Sequence, residues 1–139
     1  MDIIRVVLAD DHAEFRRVVR EFLKKLPHVQ VVGEAADGVQ AIEQVARLGP
    51  SVVLMDISMP AMNGIEATKV IKERWPSTQV LIATTHDSRI YRLQAENAGA
   101  DAYVMKSDLK PVLESMFDLP ASPQTHHRIS TSSQTREPS

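Results

Sequence analysis

The segment Val6-Val7-Leu8-Ala9-Asp10-Asp11-His12, VVLADDH, decides the reading of the fold. An apolar run stops abruptly at two adjacent acids. Runs without polar alternation mark strands buried on both faces. Crowding two like charges at the tip of such a strand is unfavourable unless a cation belongs there. The ending recurs at SVVLM, residues 51–55, which Asp56 follows at once.

Working outward, five such runs occupy residues 3–9, 29–35, 51–55, 79–83 and 101–105, and helical periodicities alternate with them. Phe15, Val18, Val19, Phe22, Leu23 and Leu26 recur at offsets of three and four. They predict an amphipathic helix with Pro27 just past its end. Ala41, Ile42, Val45 and Ala46 mark a second helix, closed by Gly49-Pro50. Ala67, Val70 and Ile71 mark a third, closed near Trp75-Pro76. A fourth covers residues 88–98 and stops at Gly99, and a short fifth covers about residues 108–117. Fivefold alternation implies an α/β fold: a doubly wound five-stranded parallel sheet, flavodoxin-like order 2-1-3-4-5, with helices on both faces. Such sheets bind ligands beyond the carboxyl ends of their strands, where the strand order reverses. Here that point lies between the first and third strands.

A chain of 139 residues suits one domain, expected over residues 1–118. Residues 119–139 are rich in Pro, Ser and Thr and have no apolar period. They read as a flexible tail without an output domain. The pair His126-His127 in that tail lacks further ligands and reads as part of it. A net charge of -2 offers no basic field for nucleic acid or an anionic membrane. The absence of cysteine excludes disulfides, thiol catalysis and zinc–thiolate sites. The N-terminal apolar segment is too short to span a membrane and has no signal-peptide pattern, so a cytoplasmic protein is expected.

Neighbouring strand tips lie about 5 Å apart, so Asp10, Asp11 and Asp56 are expected to converge. At an effective dielectric near 20, two such charges repel by roughly 3 kcal/mol. An all-oxygen donor set with few protein groups suits Mg²⁺. The fourth run is followed by Thr84, which offers a hydroxyl, and the fifth by Lys106, which offers an ammonium. A metal, a hydroxyl and a cation around one carboxylate make a site for a phosphoryl group on Asp56.

With these residues in place, the sequence resembles the receiver domain of two-component response regulators, over about residues 3–117. The resemblance is carried by Asp10-Asp11, the segment DISMPAMNG from Asp56 to Gly64, Thr84, and Tyr103-Val104-Met105-Lys106. MNGIEAT and GADAYVMKS resemble the subclass usually joined to a helix-turn-helix output domain. The resemblance implies that Asp56 accepts a phosphoryl group from a sensor histidine kinase or a small acyl phosphate. It implies that Asp11, Asp56 and the backbone carbonyl of Ser58 ligate Mg²⁺, with Asp10 acting through water. Lys106 and Thr84 are expected to bind the phosphoryl oxygens. Tyr103 is expected to turn inward as the switch aromatic and reshape the surface of the fourth helix, fifth strand and fifth helix for an output protein.

Several features depart from the family pattern. Ser107 follows Lys106 where many receivers have proline and often a cis bond. Without proline, cis costs about 2.5–4 kcal/mol, and the geometry stays open at this stage. Ser58 and His86 occupy positions that tune phosphoryl lifetime in the family. On the fourth helix, Ile90 and Leu93 fall on a different face from Tyr91, Ala95 and Ala98. That predicts an exposed apolar pair, read either as scattered surface residues or as a partner or homodimer patch. With no second domain visible, direct DNA binding by this chain is not expected.

The chemistry anticipated is self-catalysed phosphorylation and dephosphorylation of Asp56, not turnover of a metabolite. A phosphorelay intermediate passing the group to a histidine phosphotransfer protein, or a shortened two-domain transcriptional regulator, stands as an alternative. A dehalogenase-like phosphatase needs an acid where Ser58 stands. A flavodoxin needs a phosphate loop where Asp10-Asp11 repel phosphate. A structural module without phosphorylation would not need all of these residue types.

Overall fold

The computed structural model describes residues 2–117. The tail expected from Leu119, with the His126-His127 pair, lies outside the described residues. Five strands alternate with five helices: β1 (Ile4–Ala9), α1 (Ala13–Leu23), β2 (Val29–Ala35), α2 (Gly38–Leu48), β3 (Val52–Met55), α3 (Gly64–Arg74), β4 (Gln79–Thr84), α4 (Arg89–Ala98), β5 (Ala102–Met105) and α5 (Leu109–Phe117). The strands are all parallel and lie in the order β2-β1-β3-β4-β5, as the alternation predicts.

The unbroken apolar runs have a simple cause. Alternate residues of each strand enter two separate cores. Val7, Val53, Met55 and Ile82 pack with Ala41, Val45, Ile71 and Ala95, on the side of α2, α3 and α4. Val6, Leu8, Leu54 and Leu81 pack with Val19, Leu23, Leu113 and Phe117, on the side of α1 and α5. Covering both faces leaves little room for polar residues in the central strands, where Arg5, Gln79 and Thr84 fall at or next to strand ends. The edge strand β2 departs from this, being only partly buried until Ala35.

The helix boundaries follow local chemistry. Asp37, Asn63 and Ser88 cap α2, α3 and α4, each accepting a backbone N–H of the first turn. Gly49 and Gly99 end α2 and α4 at positive φ. α1 stops at Leu23, short of Pro27, because the residue before proline avoids the helical region and the chain turns earlier. A 3₁₀ turn over Lys106–Asp108 precedes α5, and the Lys106–Ser107 bond is trans. Ala95 is buried while Ile90 and Leu93 are 66% and 50% exposed, as the helical spacing predicts.

Candidate functional site

The site gathers at the carboxyl ends of β1, β3, β4 and β5. In the sheet Ala9 pairs with Met55, so the next residues, Asp10 and Asp56, are brought side by side. Main-chain bonds fix both: Asp10 N–H donates to Ala35 C=O and Asp56 N–H to Ala9 C=O, each at 2.9 Å. The loop after β3 folds tightly over its tip. Gly64 N–H donates to Ile57 C=O at 2.9 Å. A Cβ on Gly64 would lie 1.8 Å from the Asp56 carbonyl oxygen, so only glycine permits this approach.

Asp10 and Asp56 are 3% and 6% exposed, whereas Asp11 stands at the surface. Burial, and then the charge of Asp10, push the Asp56 carboxyl up to about 6, although Lys106 opposes the shift. The Lys106 ammonium lies 2.6 Å from Asp10 Oδ2 and 3.7 Å from Asp56 Oδ1. Asp10 Oδ2 is buried and has no hydrogen bond of good geometry. The close ammonium is an ion pair whose N–H directions do not serve that oxygen well. Asp10 Oδ1 accepts the His12 N–H at 2.9 Å.

Asp10, Asp11, His12 and Asp56 each place one ligand atom within 4.8 Å of the others. His12 was not among the residues expected here. Its Nδ1 lies 3.1 Å from oxygens of both Asp10 and Asp11. Its position directly after the acidic pair was the available signal. The cluster suits a divalent cation on three grounds: carboxylate donors, a poorly satisfied buried oxygen, and a carboxyl group driven towards its neutral form by burial and then by a neighbouring anion. Ser58 is exposed in the loop beside Asp56.

Thr84 and Tyr103 meet at the main chain of one residue, His86. The fully buried Thr84 Oγ1 accepts from the His86 N–H at 3.0 Å. The His86 carbonyl accepts from the Tyr103 hydroxyl at 2.9 Å. The Arg92 guanidinium lies over the Tyr103 ring, 4.4 Å from its centroid. The structure therefore joins Asp10, Asp11, Asp56 and Lys106 in one cluster, and links Thr84 to Tyr103 through the loop after β4.

Comparison with known proteins agrees with this arrangement. The family model for the response regulator receiver domain matches residues 6–117. The transcriptional regulatory protein DegU of Brevibacillus brevis is 40% identical over 103 residues, covering 74% of this chain and 44% of DegU. A protein-glutamate methylesterase/protein-glutamine glutaminase of Alkalilimnicola ehrlichii is 40% identical over 104 residues, 74% of this chain and 27% of that protein. The chain thus spans half or less of the length of such curated relatives. Among solved structures, a LuxR-family two-component response regulator from Aurantimonas superposes with a TM-score of 0.77 at 35% identity, covering 83% of this chain and 82% of that one. The response regulator domain of Thermotoga maritima CheB gives 0.74 at 33% identity, covering 80% and 90%. The chain belongs to the response regulator receiver domain family.

Proposed function

We propose that this receiver is a phosphorylation switch with Asp56 as phosphoacceptor. The observation that carries the reading is the buried Asp56 carboxylate, set beside Asp10 and within reach of Lys106 where the strand order reverses. An Asp56 oxygen attacks the phosphorus of a kinase phosphohistidine. A P–O bond forms, the P–N bond breaks, and the leaving imidazole takes up a proton. With acetyl phosphate the bond broken is P–O and acetate leaves. A carboxyl titrating near 6 is mostly ionised above pH 7 and so available for attack.

Asp11, Asp56 and the Ser58 carbonyl would hold Mg²⁺, with Asp10 contributing through water. When bound, that ion supplies positive charge against the phosphoryl oxygens. Lys106 supplies a second cation, already 3.7 Å from Asp56. Thr84 donates its hydroxyl proton to a phosphoryl oxygen. Movement of Thr84 pulls on the His86 N–H and, through the His86 main chain, loosens the Tyr103 hydroxyl from the His86 carbonyl. The phosphoryl group can shift this equilibrium only as far as it binds the two states differently.

The partners proposed are a sensor histidine kinase and an output protein that reads the α4–β5 surface. Ile90 and Leu93 are exposed on α4, and self-association through them is part of the proposal. No helix among the described residues is long and apolar enough to cross a membrane. A cytoplasmic location fits a kinase-fed switch, and direct DNA binding is not proposed for this chain.

Intact mass after incubation with acetyl phosphate tests the chemistry. A Mg²⁺-dependent gain of one phosphoryl group, abolished in Asp56→Asn, is expected. A parent that gains nothing from either acetyl phosphate or a phosphorylated kinase would overturn the reading.

A further inference from the structure

The first turn of α1 grips both ends of the buried Asp10–Lys106 pair. Phe15 presents its ring to the Lys106 ammonium, with Nζ 4.2 Å from the ring centroid. Arg16, the next residue, donates to the Asp10 main-chain carbonyl at 2.6 Å. Its Nε donates to Glu34 Oε1 on β2 at 2.8 Å. The other Glu34 oxygen accepts from Arg20, one turn along α1, at 2.5 Å. Burial pushes the Glu34 carboxyl up, but the two guanidiniums outweigh it and hold the group below its ordinary value. The chemistry described so far uses none of Phe15, Arg16, Arg20 and Glu34.

We propose that Phe15 and Arg16 are positioning residues for phosphoryl transfer at Asp56. Phe15 seats the Lys106 ammonium, and Arg16, braced by Glu34, fixes the Asp10 main chain. The inference rests on the reading of Asp56 as phosphoacceptor.

The ammonium sits on a flexible four-carbon stem between two carboxylates. An aromatic face attracts it without neutralising its charge. The charge therefore stays available for phosphoryl oxygens. An aliphatic side chain in place of Phe15 would leave the carboxylates as the sole attraction. Arg16 acts on the main chain. The Asp10 N–H is already held by Ala35, so the guanidinium on its carbonyl fixes the peptide units on both sides of Asp10. Phe15 and Arg16 also line a cavity that reaches Asp10 and Asp56, so both bound the space beside the nucleophile.

The test uses the full chain and begins without any phosphodonor. In the parent, the Lys106 ε-methylene proton resonances should be displaced upfield by the Phe15 ring, its centroid 4.2 Å from Nζ. Phe15→Leu loses the displacement and Phe15→Tyr keeps it. At saturating MgCl₂, the rate constant for phosphorylation by acetyl phosphate falls about tenfold in Phe15→Leu and recovers in Phe15→Tyr. Arg16→Gln slows phosphorylation by about tenfold or more, because misplacing a reacting constellation is costly. Glu34→Gln slows it less, and the Arg16→Gln/Glu34→Gln double variant is no slower than Arg16→Gln alone.

Unchanged Lys106 resonances in Phe15→Leu overturn the seat. A parental phosphorylation rate in Arg16→Gln, with only Tm lowered, reduces that residue to a structural tie and overturns its half of the proposal. If the parent takes no phosphoryl group, the proposed function fails. The resonances, read without donor, still decide the seat.

Discussion

Two Lys–Asp pairs stand at opposite ends of the sheet, and they are built differently. At the amino ends of the strands, Lys72 Nζ donates to Asp101 Oδ2 at 3.0 Å, Thr78 C=O at 2.8 Å and Pro76 C=O at 3.1 Å. Three N–H groups meet three acceptors, and Asp101 Oδ2 also accepts the Val80 N–H at 2.8 Å. At the carboxyl ends, Lys106 faces two buried carboxylates, and the nearer oxygen lacks a well-formed hydrogen bond. The first pair is closed and ties α3 to β4 and β5. The second holds unspent binding capacity. Beyond their place in the sheet, the two differ in how fully their polar groups are satisfied.

The largest effect expected from breaking this comparison is at the closed pair. Lys72→Met leaves Asp101 without its counter-charge and two carbonyls without a donor. Loss of one partner from a pair this buried costs about 3 kcal/mol. Urea denaturation should show the midpoint falling by that equivalent. Phosphorylation of the protein that remains folded should stay within about twofold of the parent. A large loss of phosphorylation in folded Lys72→Met would show that the two ends of the sheet are coupled.

A smaller and opposite effect is expected at the open pair. Because the folded-state pKa of Asp56, about 6, exceeds its ordinary 3.8, the folded protein holds that proton more tightly than the unfolded chain. The stability this contributes is fully present below pH 3.8 and is lost as pH rises through 6. In EDTA at pH 8, Asp56→Asn should therefore be more stable than the parent. Discounted for solvent screening, the gain is about 2 kcal/mol. At pH 4 the two proteins should converge. Equal stability across that range would show that Lys106 fully offsets the crowding.

The same contrast explains what was legible in the sequence. Double-sided burial writes itself as unbroken apolar runs, so the sheet and its order could be read directly. Acids ending two such runs gave Asp10, Asp11 and Asp56. The Lys72–Asp101 tie spans 29 residues and the Arg16–Glu34 tie 18. Pairs formed by tertiary approach leave no local periodicity. Phe15 was legible only as one apolar position of an amphipathic helix, because a ring under an ammonium and a ring in a core have the same spacing. The apolar period runs past the end of α1 at Leu23 because Leu26 continues it, although Leu26 enters the core from a turn.

The smallest effect concerns strain, and each end of the sheet carries one example. His28, before β2, has φ 71°, and Ala61, in the loop between β3 and α3, has φ 65°. Left-handed backbone costs roughly 1 kcal/mol for a residue with a Cβ, and histidine tolerates it better than most. Glycine relieves that cost but gains freedom in the unfolded chain. Ala61→Gly should then stabilise by about 0.5 kcal/mol net, and His28→Gly by less. Their functional consequences should separate. Ala61 lies between Asp56 and Gly64, in a loop pinned by Gly38 N–H to Met62 C=O at 2.9 Å. Loosening it should change the phosphorylation rate with acetyl phosphate, because the Ser58 carbonyl belongs to the same loop. His28 lies at the far end of the sheet, so His28→Gly should leave that rate at the parental value. Parental rates in both variants would mean that the pins at Met62 and Gly64 alone shape the loop, and that the strain at Ala61 is a cost of the turn with no bearing on the site.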